Sequence, residues 1–505
     1  MTPAPDSSAP AAPTVLALPV AERSLLKLWA GAAAVAALGS WLLFDATPGA
    51  NWSVWTALAA VGLAVFAERR PLAPHEAGAV RAPTWVRALP MLIAGAAALT
   101  SSEVLAALIA LSVAVLLAVQ LLLDIGLPLS RLSAPVVVLA PLLAFRTAVL
   151  QALHRSHEAT QLIRSGRARA TVRGIVITLP VLLIFALLLS NADPVFGAGR
   201  QALGALLANW DFVPRLLFCA VLMVLVLGAY GAASALPTET IHAPGAEPVR
   251  WLGGTERVML LAGVALLFWL FLAMQLGYLF GTLPQLPSSG ITFADYARRG
   301  FGELSVVASA SALLIVMSER YGTADGRGAL IRALTFAVLG AVLLMLGSAV
   351  RRVWLYEAAY GSTTARLYAQ VYMAAVALGL VMLQREVAGQ FDAGRLFRRS
   401  AVAALLLFIG LLYWNHEAWI ARRNIDRFAA TAQLDLDYLT RELSADAVPA
   451  IVQRLPSLPE PMRAELLRRL QERQTARTAG RARRWFEWNL ASRRAANALA
   501  AATAT

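Results

Sequence analysis

The chain has 505 residues, of which 59% are hydrophobic and 15% are charged, whereas soluble domains have about 45–50% apolar and about 25% charged residues. This composition excludes an ordinary water-soluble fold. The apolar residues form many runs of about 17 to 25, the length at which a helix crosses roughly 30 Å of hydrocarbon. The net charge of +14 is spread over short loops and a C-terminal segment, which favours lipid headgroups over nucleic acid as the partner.

Two residue types are almost absent. Lys27 is the only lysine, which excludes phosphate-loop and Schiff-base lysines for nearly the whole chain. Cys219 is the only cysteine and lies in an apolar run, so the sequence excludes an intrachain disulfide and a cysteine-cluster metal site. No cofactor site is expected.

The chain begins with a tail rich in Pro and Ala, residues 1–26, which is expected to be disordered and cytoplasmic rather than a signal peptide. Residues 27–416 then form the predicted transmembrane domain. Hydropathy predicts eleven spans, at 28–44, 51–67, 86–101, 103–123, 172–190, 213–234, 257–280, 301–318, 329–350, 367–384 and 400–416.

Loop arginines predict the orientation, because short loops rich in Arg and Lys stay in the cytoplasm. The two sets of alternating loops carry nineteen and six arginines. The larger set comprises Arg69, Arg70, Arg81, Arg87, Arg146, Arg155, Arg164, Arg167, Arg169, Arg173, Arg250, Arg257, Arg320, Arg327, Arg332, Arg385, Arg395, Arg398 and Arg399. The smaller set comprises Arg200, Arg298, Arg299, Arg351, Arg352 and Arg366. We therefore expect a multi-pass protein of the inner (cytoplasmic) membrane with its N-terminus in the cytoplasm and its C-terminus outside.

One apolar segment, Pro135 to Phe145, fits this orientation only if it does not span. It has eleven residues and is followed at once by Arg146, and stretches of about 10 to 14 apolar residues are more often interfacial or re-entrant. The alternative is a twelfth span. The predicted fold is thus all-α, a polytopic helical membrane bundle of about eleven to twelve spans with a small C-terminal helical domain.

That C-terminal domain, residues 417–505, is expected to be soluble or interfacial. Ser444 is a candidate N-cap for a helix with Val448, Ile451, Val452 and Leu455 on its apolar face. After Pro459 and Pro461, the pattern returns at Met462, Leu466 and Leu470. The run from Arg483 to Trp488 suits either a membrane surface or a packed aromatic helix end.

The search for catalytic motifs is negative, with no phosphate loop, nucleophile elbow or zinc-protease helix. His154, His157 and Glu158 would share a helix face, but the arginines around them oppose a metal ion. A solvated amphipathic helix is the preferred interpretation, and no metal site is expected.

Ionisable residues beside the spans are the better candidates, because charges inside a bilayer are costly and mark functional sites. Asp295, Arg298, Arg299 and Glu303 enter the eighth span. A second group, with Tyr360 and Arg366, surrounds a turn at Gly361 between the ninth and tenth spans. Each group also fits headgroup-level charges at a helix end. The candidate polar cavity, at the outer ends of spans seven to ten, comprises Gln275, Tyr278, Asp295, Arg298, Arg299, Glu303, Tyr360 and Arg366.

Several short strings resemble a family of bacterial membrane proteins catalogued as domain of unknown function 4173 (4153/4173-like). They are Asn191-Ala-Asp-Pro-Val-Phe196; Thr255-Glu256 with Gln275 and Tyr278-Leu-Phe-Gly281; Thr292 to Phe301 with Glu303-Leu304; Tyr360-Gly361 with Arg366-Leu-Tyr368; Ile420-Ala-Arg-Arg-Asn424; and Leu436-Asp-Tyr-Leu439 with Ala445-Asp-Ala-Val-Pro449. The resemblance covers residues 175 to 495, with Ser362 departing from the bulkier apolar residue of the family pattern. It implies a multispan membrane fold and no assigned activity.

Three hypotheses remain. The first is a transport or cell-envelope protein that binds a small solute or lipid headgroup. The second is a signalling or assembly scaffold in which the C-terminal domain binds a protein partner. The third is an intramembrane enzyme using Asp295 and Glu303 as acid and base, but no nucleophile or metal constellation supports it, and a role other than catalysis is favoured.

Overall fold

The computed structural model describes residues 20–68, 83–161, 174, 178, 212–234, 250–280, 293–323, 326–479 and 483–504. The described chain is helical, apart from turns and one isolated bridge between Leu252 and Gly322. The helices are α1 Val20–Leu43, α2 Ala50–Glu68, α3 Thr84–Gly95, α4 Glu103–Asp124, α5 Ala134–Gln161, α6 Phe212–Ser234, α7 Gly254–Phe280, α8 Phe293–Tyr321, α9 Gly328–Tyr360, α10 Thr364–Ala388, α11 Ala393–Tyr413, α12 His416–Thr431, α13 Val448–Arg454, α14 Glu460–Thr478 and α15 Leu490–Ala504.

Hydropathy predicted most of the long helices correctly. Ten described helices are long and apolar enough to cross a membrane, namely α1, α2 and α4 to α11, and α3 is a shorter apolar helix. The all-α prediction is confirmed. The predicted span 172–190 and the Asn191–Phe196 string lie outside the described residues.

One boundary was predicted wrongly. The segment from Pro135 to Phe145 is not a short element, because α5 continues for 28 residues from Ala134 to Gln161 with Pro141 inside it. Its length and composition are those of a span, so the twelve-span alternative gains support. The predicted orientation required that this segment does not span, so the arginines of the loop that follows it no longer support that orientation. Helix α1 begins at Val20, and residues 1–19 of the predicted tail lie outside the described part.

Contact clustering divides the chain into two compact units. The first comprises residues 1–44, 61–71 and 144–236. Here α1 and α6 run antiparallel, since Ser40 Oγ near the end of α1 donates to the carbonyl of Arg215 near the start of α6. The C-terminal part of α5 crosses α6 closely, because a Cβ on Gly228 would lie 1.7 Å from the carbonyl oxygen of Ala148. Only glycine allows the two backbones to approach so far.

In this unit His154, Arg155 and Glu158 form a local network on α5. The His154 Nε2 lies 3.2 Å and the Arg155 guanidinium 2.9 Å from the Glu158 carboxylate. These contacts are those of an amphipathic helix surface.

The second unit comprises residues 45–60, 72–143 and 237–505. Its main core lies among α7, α8, α9 and α10, around fully buried residues such as Leu261, Ile315 and Leu339. A smaller core joins α3, α4 and the end of α11 around Ile93, Ile109 and Leu412. The α3–α4 hairpin predicted around Ser101 is present.

The bundle of the second unit has one end held by ion pairs, which we call the ion-pair end. Arg87 at the start of α3 binds Asp124 at the end of α4, 3.1 Å apart. Arg257 at the start of α7 binds Glu319 at the end of α8, 2.6 Å apart. Arg395 and Arg399 of α11 both bind the buried Glu386 of α10, at 2.6 and 2.8 Å. These arginines belong to the larger set of loop arginines.

The C-terminal helices, which we call the cap, lie at the opposite end of this bundle. They share a core that includes Ile420, Leu443, Ile451 and Leu466 together with Leu367 and Leu411 of α10 and α11. The predicted apolar positions Val448, Leu455 and Leu470 are buried in it. The core therefore runs from the cap into the membrane helices.

Ser444 does not cap α13, as the sequence suggested. That helix begins at Val448 after Ala447, which has no side chain able to cap it. The Ser444 hydroxyl instead donates to the Asp446 carboxylate, at 2.6 Å. Asn415 is the side-chain cap in this region, accepting from the N–H of Ala418 in α12 at 3.0 Å.

Candidate functional site

The predicted polar cluster separates into parts. On α7, Gln275 accepts a hydrogen bond from Arg352 of α9 at 2.9 Å. Glu303 on α8 is exposed. The side chains of the other predicted members on α7 and α8 lie outside the described part of the structure, namely Tyr278, Asp295, Arg298 and Arg299.

Tyr360 and Arg366 belong to the turn between α9 and α10. The Arg366 guanidinium lies 4.0 Å from the ring centroid of Tyr356 and donates to the carbonyl of Gly361. The Tyr360 ring packs at an angle of 59° against that of Tyr356, with the centroids 5.0 Å apart, and Tyr360 is half exposed. The contacts of Arg366 thus stabilise the turn, and the predicted turn at Gly361 is confirmed by its φ of +84°.

A different set of polar groups converges where the cap meets the bundle, and Asp446 is its centre. One carboxylate oxygen, Oδ2, accepts from the Thr100 hydroxyl at 3.1 Å, the Ser101 N–H at 2.7 Å and the Ser101 hydroxyl at 3.0 Å. It also accepts from the Ser444 hydroxyl, and only 7% of Asp446 is exposed. A buried carboxylate that accepts four hydrogen bonds fixes its donors in place.

The contacts of Asp446 hold the turn between α3 and α4. Thr100, Ser101 and Ser102 form that turn, and its N–H groups have no partner within α4. The Ser101 hydroxyl in turn accepts a hydrogen bond from the N–H of Ala445 at 2.9 Å. Glu417 of α12, also buried, accepts from the N–H of Ser444 at 2.5 Å. The α3–α4 turn and the segment 444–446 are therefore one hydrogen-bonded unit, which we call the cap junction.

A second contact joins the cap to the start of α2. The carbonyls of Phe486 and Trp488 accept from the N–H groups of Asn51 and Ala50, at 3.0 and 2.9 Å. Asn489 donates from Nδ2 to the carbonyls of Ala97 and Thr100 at the end of α3, at 3.0 and 2.7 Å. Backbone groups left unpaired at two membrane-helix ends are thus satisfied by the cap.

The cap also binds the unpaired backbone groups of the α9–α10 turn. Asn424 accepts from the N–H of Ser362 at 2.7 Å and donates to its carbonyl at 2.8 Å. The Tyr438 hydroxyl accepts from the N–H of Thr364 at the start of α10, at 2.8 Å. Burial raises the pKa of Tyr438, so it remains a neutral phenol at physiological pH. Arg427 donates to the carbonyls of Ala358 and Ala359 at the end of α9.

Beside the cap junction lies a cavity of about 540 Å³, which we call the cap cavity. Hydroxyl groups line it, and so do charges of both signs. Its polar lining comprises Asp45, Thr47, Thr100, Ser101, Ser102, Glu103, Arg477, Arg483, Glu487, Asn489 and Ser492. Such a mixture suits a small polar ligand.

Two walls of this cavity are rigid. Glu487 is buried, 1% exposed, and accepts from the Thr47 hydroxyl at 3.2 Å. Asn489 is buried and caps α15 through the N–H of Ser492, at 3.0 Å. Trp485 beside them is 78% exposed, whereas Phe486 is buried. The segment Arg483–Trp488 is therefore a non-helical turn with an exposed indole, rather than the packed helix end that was one of its two interpretations.

A smaller cavity of about 120 Å³ lies on the other side of Asp446. His416 lines it, and its Nε2 lies 3.1 Å from the hydroxyl of Tyr368. His416 is 2% exposed. We interpret this pair as part of the packing between α10 and α12.

Sequence reasoning selected other residues, yet the strings that carried the family resemblance contain Asp446 and several other residues that bind helix ends. Asn424 ends one string, Tyr438 and Asp446 lie in two others, and Tyr368 lies in a fourth. These residues make the long-range hydrogen bonds described above. The signal was therefore present, but single polar residues in a soluble-looking segment do not reveal which helix end they bind.

A model of the family described as a domain of unknown function, DUF4153, matches residues 82–453. The chain belongs to this family. The match extends from the start of α3 to the end of α13 and so includes the cap junction. Searches of curated proteins and of solved structures found no match. The protein is a multi-pass integral membrane protein that lies in a lipid bilayer, and its family carries no assigned activity.

Proposed function

We propose that this protein is a transport or cell-envelope protein of the cytoplasmic membrane, and that its cap cavity binds a small polar solute or lipid headgroup. The observation that carries this proposal is the half-open cavity of about 540 Å³ between the α3–α4 turn and the cap. A rigid cavity with several hydroxyls and charges at the end of an apolar bundle is suited to binding.

The proposal includes the orientation. The ion-pair end carries Arg87, Arg257 and Arg395, from the larger set of loop arginines, whereas Arg352 and Arg366 lie towards the cap. The positive-inside rule then supports a cytoplasmic ion-pair end and a non-cytoplasmic cap. A C-terminal reporter active only outside the cytoplasm tests this.

Filling the cavity tests the function. Ala106 lines the cap cavity from the first turn of α4, whereas its neighbour Ala107 is exposed and outside the lining. The assay uses cells that lack the native gene and measures whether a plasmid copy restores their envelope integrity or solute uptake. We expect Ala106→Trp to abolish this complementation. The matched variant Ala107→Trp should complement fully. Equal complementation by both variants at equal membrane abundance would exclude a role for the cavity.

The second candidate function is the scaffold. It is favoured by the outer surface of α14, where the partly exposed Arg463 and Glu465 and the exposed Arg468 form local ion pairs and leave a charged helix face. If a protein partner binds there, reversing the charges of these three residues should abolish the phenotype while Ala106→Trp leaves it intact. The first proposal predicts the opposite pair of results.

A further inference from the structure

The arginines of α14 differ in their ion-pair and hydrogen-bond partners. Arg463 pairs with Glu460, and Arg468 and Arg469 both pair with Glu465. Arg473 donates to the carbonyls of Thr440 and Leu443. Arg477, in the last turn, points to the cap cavity instead, and within the described residues it has neither an ion pair nor a hydrogen bond.

Arg483 lines the same cavity and is likewise without an ion pair among the residues that the structure describes. The two cations interact: burial and, next, the charge of Arg483 lower the pKa of Arg477. An arginine side chain is a cation in proteins. Two like charges beside one cavity repel each other, and an anion between them would relieve this repulsion.

Glu103 supplies the opposite charge. It begins α4, lines the cavity and is exposed. Its charge acts on Arg477, yet within the described residues the two form no salt bridge. Two further carboxylates of the lining, Asp45 and Glu487, already have contacts of their own. Glu103 is therefore the carboxylate that is near enough to Arg477 to interact with it and too far away to pair with it.

This arrangement selects against simple ions. A plain anion would meet the Glu103 carboxylate, and a plain cation would meet Arg477 and Arg483. A ligand with an anion at one end and a cation at the other satisfies all three charges. Guanidinium groups bind phosphate through parallel hydrogen bonds, and the hydroxyl of Ser492, which lines the cavity, can supply a further donor.

We propose, on the basis of the cavity function above, that the cap cavity binds a zwitterionic phosphate group of the phosphoethanolamine type. Arg477 and Arg483 bind the phosphate, and Glu103 binds the ammonium group. The group belongs either to a phosphatidylethanolamine lipid or to a soluble phosphoethanolamine compound.

The first experiment uses the full chain in detergent, titrated calorimetrically with O-phosphoethanolamine, inorganic phosphate and ethanolamine. We expect O-phosphoethanolamine to bind at least tenfold more tightly than phosphate, and ethanolamine to bind most weakly. Arg477→Gln and Arg483→Gln should each weaken O-phosphoethanolamine tenfold or more. Glu103→Gln should reduce its affinity to that of phosphate without weakening phosphate.

Arg463→Gln is the matched control, because it removes a guanidinium from the same helix outside the cavity. It should bind all three probes as the parent does. All four residues are surface positions, and unchanged thermal unfolding will verify the folding of each variant. Equal affinity for phosphate and O-phosphoethanolamine, or affinities insensitive to Glu103, Arg477 and Arg483, would overturn the proposal.

The second experiment identifies the source of the group. Nanodiscs are prepared with equal amounts of phosphatidylethanolamine and phosphatidylglycerol, and lipids retained by the protein are counted by native mass spectrometry. A lipid source predicts retained phosphatidylethanolamine that is lost in Arg477→Gln. A soluble source predicts no selective retention, together with the binding of O-phosphoethanolamine found by calorimetry.

Failure of this inference is separable from failure of the proposed function. If Ala106→Trp abolishes complementation and O-phosphoethanolamine does not bind, the cavity is functional and its ligand is of another class. If O-phosphoethanolamine binds through Arg477 and Glu103 while Ala106→Trp still complements, the binding site stands and the cavity function is wrong.

Discussion

The two ends of the second unit pair the polar and charged groups of their helix ends in different ways. At the ion-pair end, buried or partly buried carboxylates are neutralised by arginines from neighbouring helices, at sequence separations of 9 for Glu386–Arg395, 37 for Arg87–Asp124 and 62 for Arg257–Glu319. At the cap end, the helix ends are satisfied from far away, at separations of 346 for Thr100–Asp446 and 392 for Ala97–Asn489.

This difference teaches that the ion-pair end is built from adjacent hairpins, whereas the cap end needs the last ninety residues of the chain. A bilayer leaves no water to satisfy unpaired backbone groups near helix ends. The cap replaces that water at α2, α3, α4, α9 and α10. We therefore expect substitutions in the cap junction to be more damaging than comparable substitutions at the ion-pair end.

The largest effect is expected for Asp446→Ala. It removes the acceptor of four donors and leaves the hydroxyls and N–H groups of the α3–α4 turn buried and unsatisfied, which should cost about 3 kcal/mol of unfolding free energy. Thermal and denaturant unfolding in detergent will measure this. Asp426→Ala, which removes a half-exposed partner of Arg454, is the control and should cost less than about 1 kcal/mol. A similar cost for both variants would contradict the importance of the junction.

The next effect concerns Gly361, whose φ of +84° is combined with a ψ of 170°. This conformation is almost restricted to glycine, and other residues pay about 1–3 kcal/mol for it. In addition, a Cβ would lie 2.9 Å from Oδ1 of Asn424. Gly361→Ala should therefore lower stability by about 2 kcal/mol.

The control for this prediction lies in the same helix. Gly340 in the interior of α9 has open space around it, and Gly340→Ala should raise stability by up to about 1 kcal/mol through helix propensity. Gly361→Ala measured on an Asn424→Ala background should cost less than on the parent, since the close contact is gone. An unchanged cost would assign the effect to backbone strain alone.

A smaller effect is expected at the ion-pair end for Glu386→Gln. The carboxylate is buried, but its partners Arg395 and Arg399 have side chains that are 40% and 57% exposed. They will turn to water when the charge is lost, so we expect a cost of about 1–2 kcal/mol. If Glu386→Gln proves as costly as Asp446→Ala in the same unfolding assay, the contrast between the two ends is wrong.

The smallest effect is a pH dependence. Asp392 caps α11 by accepting from the N–H groups of Gly394 and Arg395, and these bonds lower its pKa. Because the folded-state pKa lies below the usual value near 4, the ionised cap stabilises the fold above about pH 4. This contribution is lost as the pH falls through the folded-state pKa.

Asp392→Ala should therefore cost about 1 kcal/mol at pH 7, and the difference from the parent should shrink as the pH falls below the usual aspartate pKa of about 4. Unfolding curves of both chains from pH 7 to pH 3 will test this. A difference that is constant across the range would assign the effect to helix propensity rather than to the ionised cap.

Much of the fold was predictable from the sequence, because bilayer thickness and hydropathy leave few choices for long apolar runs. The failures have physical causes. Arg146 and Pro141 interrupt the apolar run of α5 in the sequence. A membrane helix tolerates both when neighbouring groups form hydrogen bonds with the backbone groups that are freed. Ser444 has the residue type of an N-cap, yet a nearby buried carboxylate is the stronger hydrogen-bond partner.

The site was harder to predict. Gln275 and Arg366 stood out because polar residues in apolar runs are conspicuous, and both proved to make contacts within or beside their own hairpins. Asp446 and Asn489 lie in a polar segment where nothing marks them, and their partners are hundreds of residues away. Local patterns carry no information about such pairings.

The contact between Thr47 and Glu487 joins residues 440 positions apart. During synthesis α2 enters the membrane early, while the carbonyls of Phe486 and Trp488 that will bind its first N–H groups do not yet exist. The start of α2 and the α3–α4 turn therefore lack these partners until residues 486–489 have been made. A chain that stops before Phe486 would leave the first N–H groups of α2 and the carbonyls of Ala97 and Thr100 without their partners in the cap, so insertion of the bundle and closure of this end are separate events in the synthesis of the protein.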